Sequence, residues 1–238
     1  MKARYDTLEM VLHVARRLGP LRERVVFLGG SATGLLITDP AVPDVRMTQD
    51  VDVIVEAATW LEYHRLEQAL VERGFDRDTT EGAPVCRWLV DGFALDVMPV
   101  SGEILGFSNR WYGPALQNST RCDMAPDLAI RTVTAPYFLA TKIEAFCGRG
   151  NTDYLASHDL EDMITLIDGR KELLDEITAV SPELRRFLAD TFHDYLATPH
   201  FIESISAHLL PDTASQRRLP LIMERMSRIA DNLNEESA

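Results

Sequence analysis

Residues 25–31 read Val-Val-Phe-Leu-Gly-Gly-Ser, and residues 50–55 read Asp-Val-Asp-Val-Ile-Val. Each apolar run is short and rich in β-branched residues, which is typical of a buried strand. The first run ends in a glycine turn, and the stretch from Ser31 to Ile37 can form a short helix. Bare N–H groups at the start of a helix can bind a phosphate. The two segments predict a strand–turn–helix unit, followed by a strand that begins with two acids.

Asp50 and Asp52 stand two positions apart on the predicted strand, so their side chains share one face. Val51 and Val53 then face the other way, toward a core. Two carboxylates this close repel each other unless a cation lies between them. Mg²⁺ prefers oxygen ligands and takes one or two protein carboxylates together with substrate phosphates. The pair therefore predicts a divalent-metal site, and the alternative is two solvated acids at the end of a strand.

A third carboxylate, Asp96, lies in the apolar run Phe93–Met98. A buried carboxylate needs a cation, a hydrogen-bond donor or water. Asp91-Gly92 is a strong two-residue turn signal, so strands at residues 85–90 and 93–97 are predicted to form a hairpin. Asp96 could complete a two-metal site with the other two acids. The alternative is that Asp96 pairs with Arg87 across the hairpin.

The remaining pattern divides the chain into two halves. Helices are expected at residues 6–18 and 60–73, with short strands near residues 115–121 and 128–133. From Pro136 onward the apolar spacing is helical throughout. We therefore predict an α+β fold, with a mixed β-sheet and flanking helices in residues 1–134 and a helical bundle in residues 135–238.

Composition limits the classes of partner. Acidic residues outnumber basic ones by 37 to 24 in a chain of 238 residues, which gives a net charge of −13. Proteins that grip long nucleic acid usually carry a basic stripe, so we expect no extended duplex partner. No apolar run reaches the length of a membrane span, and the N-terminus lacks a signal-peptide pattern. No membrane association and a cytoplasmic location are therefore expected.

Three other kinds of site are disfavoured. The three cysteines are odd in number and scattered, and the six histidines are dispersed, which argues against disulfides and against zinc. The Gly29-Gly30 turn is not followed by Gly-Lys-Ser/Thr, so it is not a P-loop. Ser31 has no evident His and Asp partners, which disfavours a serine hydrolase.

The order of these motifs resembles the nucleotidyltransferase superfamily of the DNA polymerase β type. Within it, the chain is most similar to the AbiEii-like nucleotidyltransferases, a group that includes toxins of bacterial toxin–antitoxin pairs. Three segments carry the resemblance: Gly29-Gly30-Ser31-Ala32-Thr33, Arg46-Met47-Thr48-Gln49-Asp50-Val51-Asp52, and Lys142-Ile143-Glu144-Ala145-Phe146 with Arg149 and the later His158-Asp159-Leu160-Glu161-Asp162.

The resemblance implies roles for the acids and for one lysine. Asp50 and Asp52 would hold the catalytic Mg²⁺ or Mn²⁺, and Asp96 would be the third metal ligand and the base. Lys142 would contact the triphosphate, and Asp159 would lie near the nucleotide or the lysine. Otherwise Lys142 is a surface lysine with a buried stem, and Asp159 is an acid favoured in the first turn of a helix.

The resemblance also implies which backbone and polar groups meet the nucleotide. Gly29, Gly30 and Ser31 would bind the β- or γ-phosphate through N–H groups and a hydroxyl. Arg46 and Thr48 would contact phosphate or brace the strand that carries the two aspartates.

The expected activity is Mg²⁺-dependent transfer of a nucleoside monophosphate from an NTP such as ATP to a hydroxyl. The acceptor stays open among a tRNA 3′ end, a protein side chain and a small molecule. If the chain is a toxin, an antitoxin is an expected partner. Two alternatives remain: a catalytically silent module that binds a nucleotide or a partner, and an enzyme that modifies aminoglycosides, whose positive charge would suit the acidic surface.

Overall fold

The computed structural model of the chain describes residues 2–42, 45–148 and 153–231. Within these ranges it contains one mixed β-sheet of seven strands and twelve α-helices, which confirms the predicted α+β class. The chain divides into two units. The first comprises Met1–Gly34 and Asp44–Thr134, and the second comprises Leu35–Pro43 and Ala135–Ala238.

The sheet belongs to the first unit and has the strand order β3-β4-β5-β2-β1-β7-β6. The pairs β2–β5 and β1–β7 are parallel, and the other neighbours are antiparallel. The strands are β1 (Val25–Leu28), β2 (Asp50–Val55), β3 (Asp76–Arg77), β4 (Arg87–Val90), β5 (Phe93–Pro99), β6 (Thr120–Ala125) and β7 (Leu128–Thr132).

Helices accompany the sheet in the first unit and make up the second. The helices that begin in the first unit are α1 (Lys2–Leu18), α2 (Gly29–Leu36), α3 (Trp60–Glu72), α4 (Gly102–Leu105) and α5 (Tyr112–Gln117). Those of the second unit are α6 (Ala135–Gly148), α7 (His158–Gly169), α8 (Leu173–Thr178), α9 (Pro182–Leu196), α10 (Pro199–Ile205), α11 (Thr213–Gln216) and α12 (Leu219–Asp231). From Ala135 onward, the regular secondary structure of the described residues is helical, as the apolar spacing predicts.

Strand β2 shows why its two acids are available for chemistry. Val51 and Val53 are completely buried, whereas Asp50 and Asp52 are half-buried. The alternation follows from the pleat, which sends successive side chains to opposite faces. One face of β2 therefore contributes to the core, and the other presents two carboxylates.

The predicted hairpin is confirmed, and one predicted strand is wrong in part. Asp91 and Gly92 both have positive φ angles, of 50° and 86°, as a tight two-residue turn requires. Residues 115–121, however, are not one strand: α5 occupies Tyr112–Gln117, and β6 begins only at Thr120. Ala115 and Leu116 are both buried. Adjacent buried positions suit a short helix, whereas a one-sided strand would alternate between buried and exposed.

In the second unit, the segment after α2 is fixed to the end of α7. The N–H groups of Thr38 and Asp39 both donate to the carbonyl of Gly169, at 2.9 Å. Arg218 completes the contact because its guanidinium bonds the carboxylates of Asp39 and Asp168. The segment Leu35–Pro43 thus belongs to the helical unit.

In the part of the chain that the structure describes, no helix has both the length and the apolar character needed to cross a membrane.

Candidate active site

Three carboxylates meet on one face of the first unit's sheet. Asp52 on β2 stands directly opposite Asp96 on β5, and Asp50 stands opposite Ala94 in the same pair of strands. Directly opposed residues on neighbouring strands project to the same face. The structure therefore brings together Asp50, Asp52 and Asp96, the three acids that the sequence analysis selected.

Arg87 on β4 joins this acid cluster, which we define as Asp50, Asp52 and Asp96. Arg87 is the cross-strand partner of Asp96. Its Nε donates to Asp96 Oδ1 and its Nη2 to Asp96 Oδ2, both at 2.8 Å. Nη2 also donates to Asp50 Oδ2 at 2.6 Å. The pairing of Asp96 with Arg87 that the sequence left open as an alternative is thus present, and the contact with Asp50 was not foreseen.

The charge of Arg87 is strongly stabilised by its partners. Its hydrogen bonds to Asp96 raise the pKa of the guanidinium, and the nearby charges of Asp96 and Asp50 raise that pKa further, against the opposing effect of burial. Two hydrogen bonds from one guanidinium to one carboxylate form the fork that arginine makes best. Arg87 therefore acts as a permanent cation within the acid cluster.

Thr48 braces Asp50 from the loop before β2. Its Oγ1 donates to Asp50 Oδ1 at 3.0 Å. Arg46 lies in the same loop, and its Nη1 donates to the carbonyl of Met47 at 3.1 Å. For Thr48, the structure therefore shows the bracing contact that the sequence analysis offered as one of two roles.

The glycine turn lies directly beside Asp52. Gly29 has a φ of +69°, which favours glycine. A Cβ at this position would lie 2.6 Å from Asp52 Cγ, so the carboxylate fills the space a side chain would need. Ser31 is buried, and its Oγ donates to the carbonyl of Leu28 at 3.2 Å. Its hydroxyl proton is thus engaged with the end of β1.

Two buried side chains, Cys86 and Tyr63, lie within electrostatic range of Asp96. Cys86 is buried beside Arg87, and burial raises the pKa of its thiol to about 12, with the charge of Asp96 adding to the shift. Burial also raises the pKa of Tyr63 to about 12, and its hydroxyl donates to the carbonyl of Val97 at 3.0 Å.

The carboxylates of the acid cluster suit a hard divalent cation, but Arg87 already binds two of them. Carboxylate oxygens are the ligands that Mg²⁺ and Mn²⁺ prefer, and two carboxylates are sufficient when substrate phosphates complete the shell. Yet among the described residues, no three His, Cys, Asp or Glu side chains are grouped so that they could hold a metal ion. The opposed pair Asp52 and Asp96 fits a cation by its chemistry, provided that Arg87 yields Asp96.

In the second unit, Lys142 lies in a buried ion-pair cluster. Its Nζ donates to Asp159 Oδ1 at 3.1 Å and to Asp162 Oδ2 at 2.6 Å. All three residues are buried. The structure therefore pairs Lys142 with Asp159, as the resemblance allows, and rules out a solvated surface lysine. Arg149, which also carried the resemblance, lies outside the described residues.

Asp162 is the member of this cluster to which sequence reasoning gave no role. Asp159 and Asp162 are three residues apart on α7, so they lie on the same face of the helix. Ser157 caps that helix by accepting from the N–H of Leu160 at 3.3 Å. The three-residue spacing of the two acids in His158-Asp159-Leu160-Glu161-Asp162 is the sequence feature that indicates a shared partner for both.

No protein-family model matches the chain, and no curated protein matches it. Among solved structures, the chain is similar to the crystal structure of an antigenic nucleotidyltransferase-like protein from Paracoccidioides brasiliensis, with 22% sequence identity and a TM-score of 0.49. The match covers 85% of this chain and 93% of that chain. Membership in the AbiEii-like family stays a prediction.

Proposed function

We propose that the chain is a nucleotidyltransferase that moves a nucleoside monophosphate from an NTP to an acceptor hydroxyl and releases pyrophosphate. The observation that supports this proposal is the placement of Asp52 opposite Asp96, with Asp50 on the same face of the sheet. The Gly29 turn lies directly against the carboxylate of Asp52. This puts carboxylate oxygens beside a turn that begins a helix, which is where a bound triphosphate and its cation would meet.

Once Arg87 has left Asp50 and Asp96, the three acids would hold Mg²⁺ or Mn²⁺. The cation would neutralise charge on the reacting phosphates and on the departing pyrophosphate. Asp96 would accept the proton of the acceptor hydroxyl on a carboxylate oxygen, because it is the most buried acid of the cluster and is shielded from bulk water. Thr48 would hold Asp50 in place through the hydrogen bond to Oδ1.

The chain's own groups would orient the nucleotide. The N–H groups at the start of α2, in Gly29, Gly30 and Ser31, would bind a phosphate through the positive end of the helix. In the second unit, Asp159 and Asp162 fix the ammonium group of Lys142, and a contact of this lysine with a triphosphate stays a prediction of the resemblance.

The chemical class of the acceptor is proposed from the charge of the protein. A net charge of −13 favours a protein side chain or a small cationic molecule over long RNA. A tRNA 3′ end needs only a local basic patch, so it belongs in the same test. A toxin of a toxin–antitoxin pair is one biological setting for such transfer, and in that setting a cytoplasmic antitoxin would be the partner.

The test follows label from the α-phosphate of each NTP in the presence of Mg²⁺ or Mn²⁺. Total tRNA, cell protein and a panel of aminoglycosides serve as acceptors, and pyrophosphate release is measured in parallel. Asp52→Asn should lower transfer by about 10²–10³-fold, since a metal ligand supplies several kcal/mol in the transition state. Asp123→Asn is the matched control because Asp123 is exposed on β6.

Two results would contradict the proposal. One is the absence of α-label transfer by the wild-type protein to all three acceptor classes with all four NTPs. The other is transfer by Asp52→Asn at the rate of Asp123→Asn, which would move the activity away from the acid cluster.

A catalytically silent module is the second candidate, and Arg87 is the observation in its favour. A guanidinium paired with both Asp50 and Asp96 balances part of the charge that a metal would otherwise balance. Calorimetry distinguishes the two candidates. NTP binding that requires Mg²⁺, without pyrophosphate release in the presence of any acceptor class, would establish the module.

A further inference from the structure

Arg87 uses the oxygens on which a metal ion would have to bind. It donates to both oxygens of Asp96 and to Oδ2 of Asp50. Thr48 donates to the other oxygen of Asp50. Every oxygen of these two carboxylates therefore accepts at least one hydrogen bond, and three of the four bonds come from one cation. A second cation on the same oxygens would be repelled by the guanidinium.

We propose that Arg87 and the catalytic divalent cation compete for Asp50 and Asp96, so that loading of the site requires the guanidinium to leave both carboxylates. The inference rests on the proposed function, which supplies the reason for a cation at this place. It assigns to Arg87 a positioning role that neither the sequence motifs nor the resemblance includes.

The geometry allows Arg87 to leave without any change in the sheet. The side chain of Arg87 is 23% exposed, so a path to solvent is open. Its backbone is held by β4, which pairs with β5 over four residues. Asp50 stands opposite Ala94 rather than opposite Arg87, so the guanidinium reaches Asp50 diagonally, past a small side chain. Rotation about the side-chain bonds alone can break all three hydrogen bonds.

The exchange changes the charge of the cluster by only one unit. Three carboxylates and one guanidinium carry a formal charge of −2, and replacing the guanidinium with one divalent cation leaves −1. The guanidinium that is released keeps its fork of donors, which matches a phosphate oxygen pair as well as it matches a carboxylate. Arg87 would thus pass from Asp96 to the nucleotide as the cation takes its place, and cation binding would precede productive binding of the triphosphate.

The first test measures Mn²⁺ binding in the absence of nucleotide, by electron paramagnetic resonance and by calorimetry. Arg87→Gln removes the competing charge and retains a polar side chain that can donate a hydrogen bond. We expect it to bind Mn²⁺ at least tenfold more tightly than the wild type. Arg121→Gln is the matched control, because Arg121 forms an exposed ion pair with Asp123 on the edge strand β6 and should leave the affinity unchanged.

Three results of this test would overturn the competition. The first is Mn²⁺ affinity in Arg87→Gln that equals or falls below the wild-type value. The second is an equal gain in Mn²⁺ affinity in Arg121→Gln, which would show that the gain comes from the change in net charge of the protein. The third is the absence of Mn²⁺ binding by Arg87→Gln at millimolar concentrations.

The second test uses the wild-type protein, so it does not depend on the folding of a variant. The Nε–H of Arg87 donates to Asp96 and should exchange slowly with water in the absence of added cation. Its nuclear magnetic resonance signal can be assigned as the arginine Nε–H that is missing in Arg87→Lys. Saturating Mg²⁺ should shift this signal and accelerate its exchange. A signal that is unchanged at saturating Mg²⁺ would refute the displacement of Arg87.

The two failures are distinguishable. Cation binding is measured without nucleotide, whereas nucleotidyl transfer is measured with label. If Arg87→Gln binds Mn²⁺ tenfold more tightly but the wild type transfers no label, the competition is supported and the proposed activity is refuted. If the wild type transfers label but Arg87→Gln has unchanged Mn²⁺ affinity, the activity is supported and the competition is refuted.

Discussion

The carboxylate of Asp52 lies against the Cα of Gly29, in the space that a side chain at position 29 would occupy. The contact joins a turn at the end of β1 to a strand that begins more than twenty residues later in the sequence. It makes glycine a requirement at this position for two separate reasons, a positive φ and a close neighbour. Each reason has a measurable cost.

Gly29→Ala should destabilise the protein more than Gly92→Ala does. Both glycines have positive φ, so both variants should lose about 1–2 kcal/mol from backbone strain. A Cβ at Gly92 meets nothing within 4 Å, whereas a Cβ at Gly29 would overlap Asp52. Overpacking should add about 1–3 kcal/mol at Gly29. Urea unfolding measures the difference, and equal losses would show that Asp52 moves aside without cost.

Lys142→Ala should cost about 3–5 kcal/mol of folding stability, because it leaves the buried carboxylates of Asp159 and Asp162 without their shared cation. Lys171→Ala is the control. Its ammonium lies 3.5 Å from Asp39 and its side chain is 55% exposed, so its loss should cost less than about 1 kcal/mol. Chemical denaturation at neutral pH measures both, and similar losses would contradict a stabilising role for the buried cluster.

The capping box of α3 predicts a defined acid sensitivity. The N–H groups of Ala58 and Thr59 donate to Glu62 and hold the pKa of its carboxyl below the ordinary value of 4.5. A lowered pKa in the folded state means that this contribution to stability is present above pH 4.5 and is lost as the pH falls through the folded value. Glu62→Gln should therefore weaken the decline of stability at acid pH.

Unfolding midpoints at a series of pH values give this comparison. Glu203→Gln makes the same change at an exposed position of α10. A decline in Glu62→Gln as steep as that of the wild type and of Glu203→Gln would show that the cap does not contribute to the acid response.

Cys86 should resist alkylation in the folded protein. Its thiol has a pKa raised to about 12 by burial and by Asp96, so its thiolate fraction at pH 8 is on the order of 10⁻⁴. Cys147 is exposed and should react first. We expect iodoacetamide to label Cys86 at least ~100-fold more slowly than Cys147, with all cysteines reacting after denaturation. Comparable rates, measured by mass spectrometry of the peptides, would contradict the buried environment beside the acid cluster.

Local chemistry explains which elements the sequence predicts well. The hairpin of β4 and β5 follows from Asp91-Gly92, which can adopt the positive φ angles of a tight turn. The face of β2 that carries Asp50 and Asp52 follows from the period of two in a strand. The two-residue strand β3 was not predicted, since Asp76–Arg77 is too short for a period to be recognised.

Contacts of the candidate site could be predicted from the sequence only where the contacting residues lie close together along the chain. The hairpin already places Arg87 near Asp96, which is why that pairing stood as an alternative. Its bond to Asp50 depends on β2 lying parallel to β5, and this strand order joins segments that are far apart in sequence. The roles assigned to Lys142 and to the phosphate-binding groups remain predictions, because the contacts described for Lys142 are with Asp159 and Asp162.

The loop after the glycine turn has a consequence for how the protein is made. Asp39 is synthesised before its partner Arg218, which is 179 residues further along the chain. The carbonyl of Gly169, which accepts from Thr38 and Asp39, also emerges late from the ribosome. Contacts of such high sequence separation form slowly. During translation, Thr38 and Asp39 can therefore make these contacts only after Gly169 and Arg218 have been synthesised.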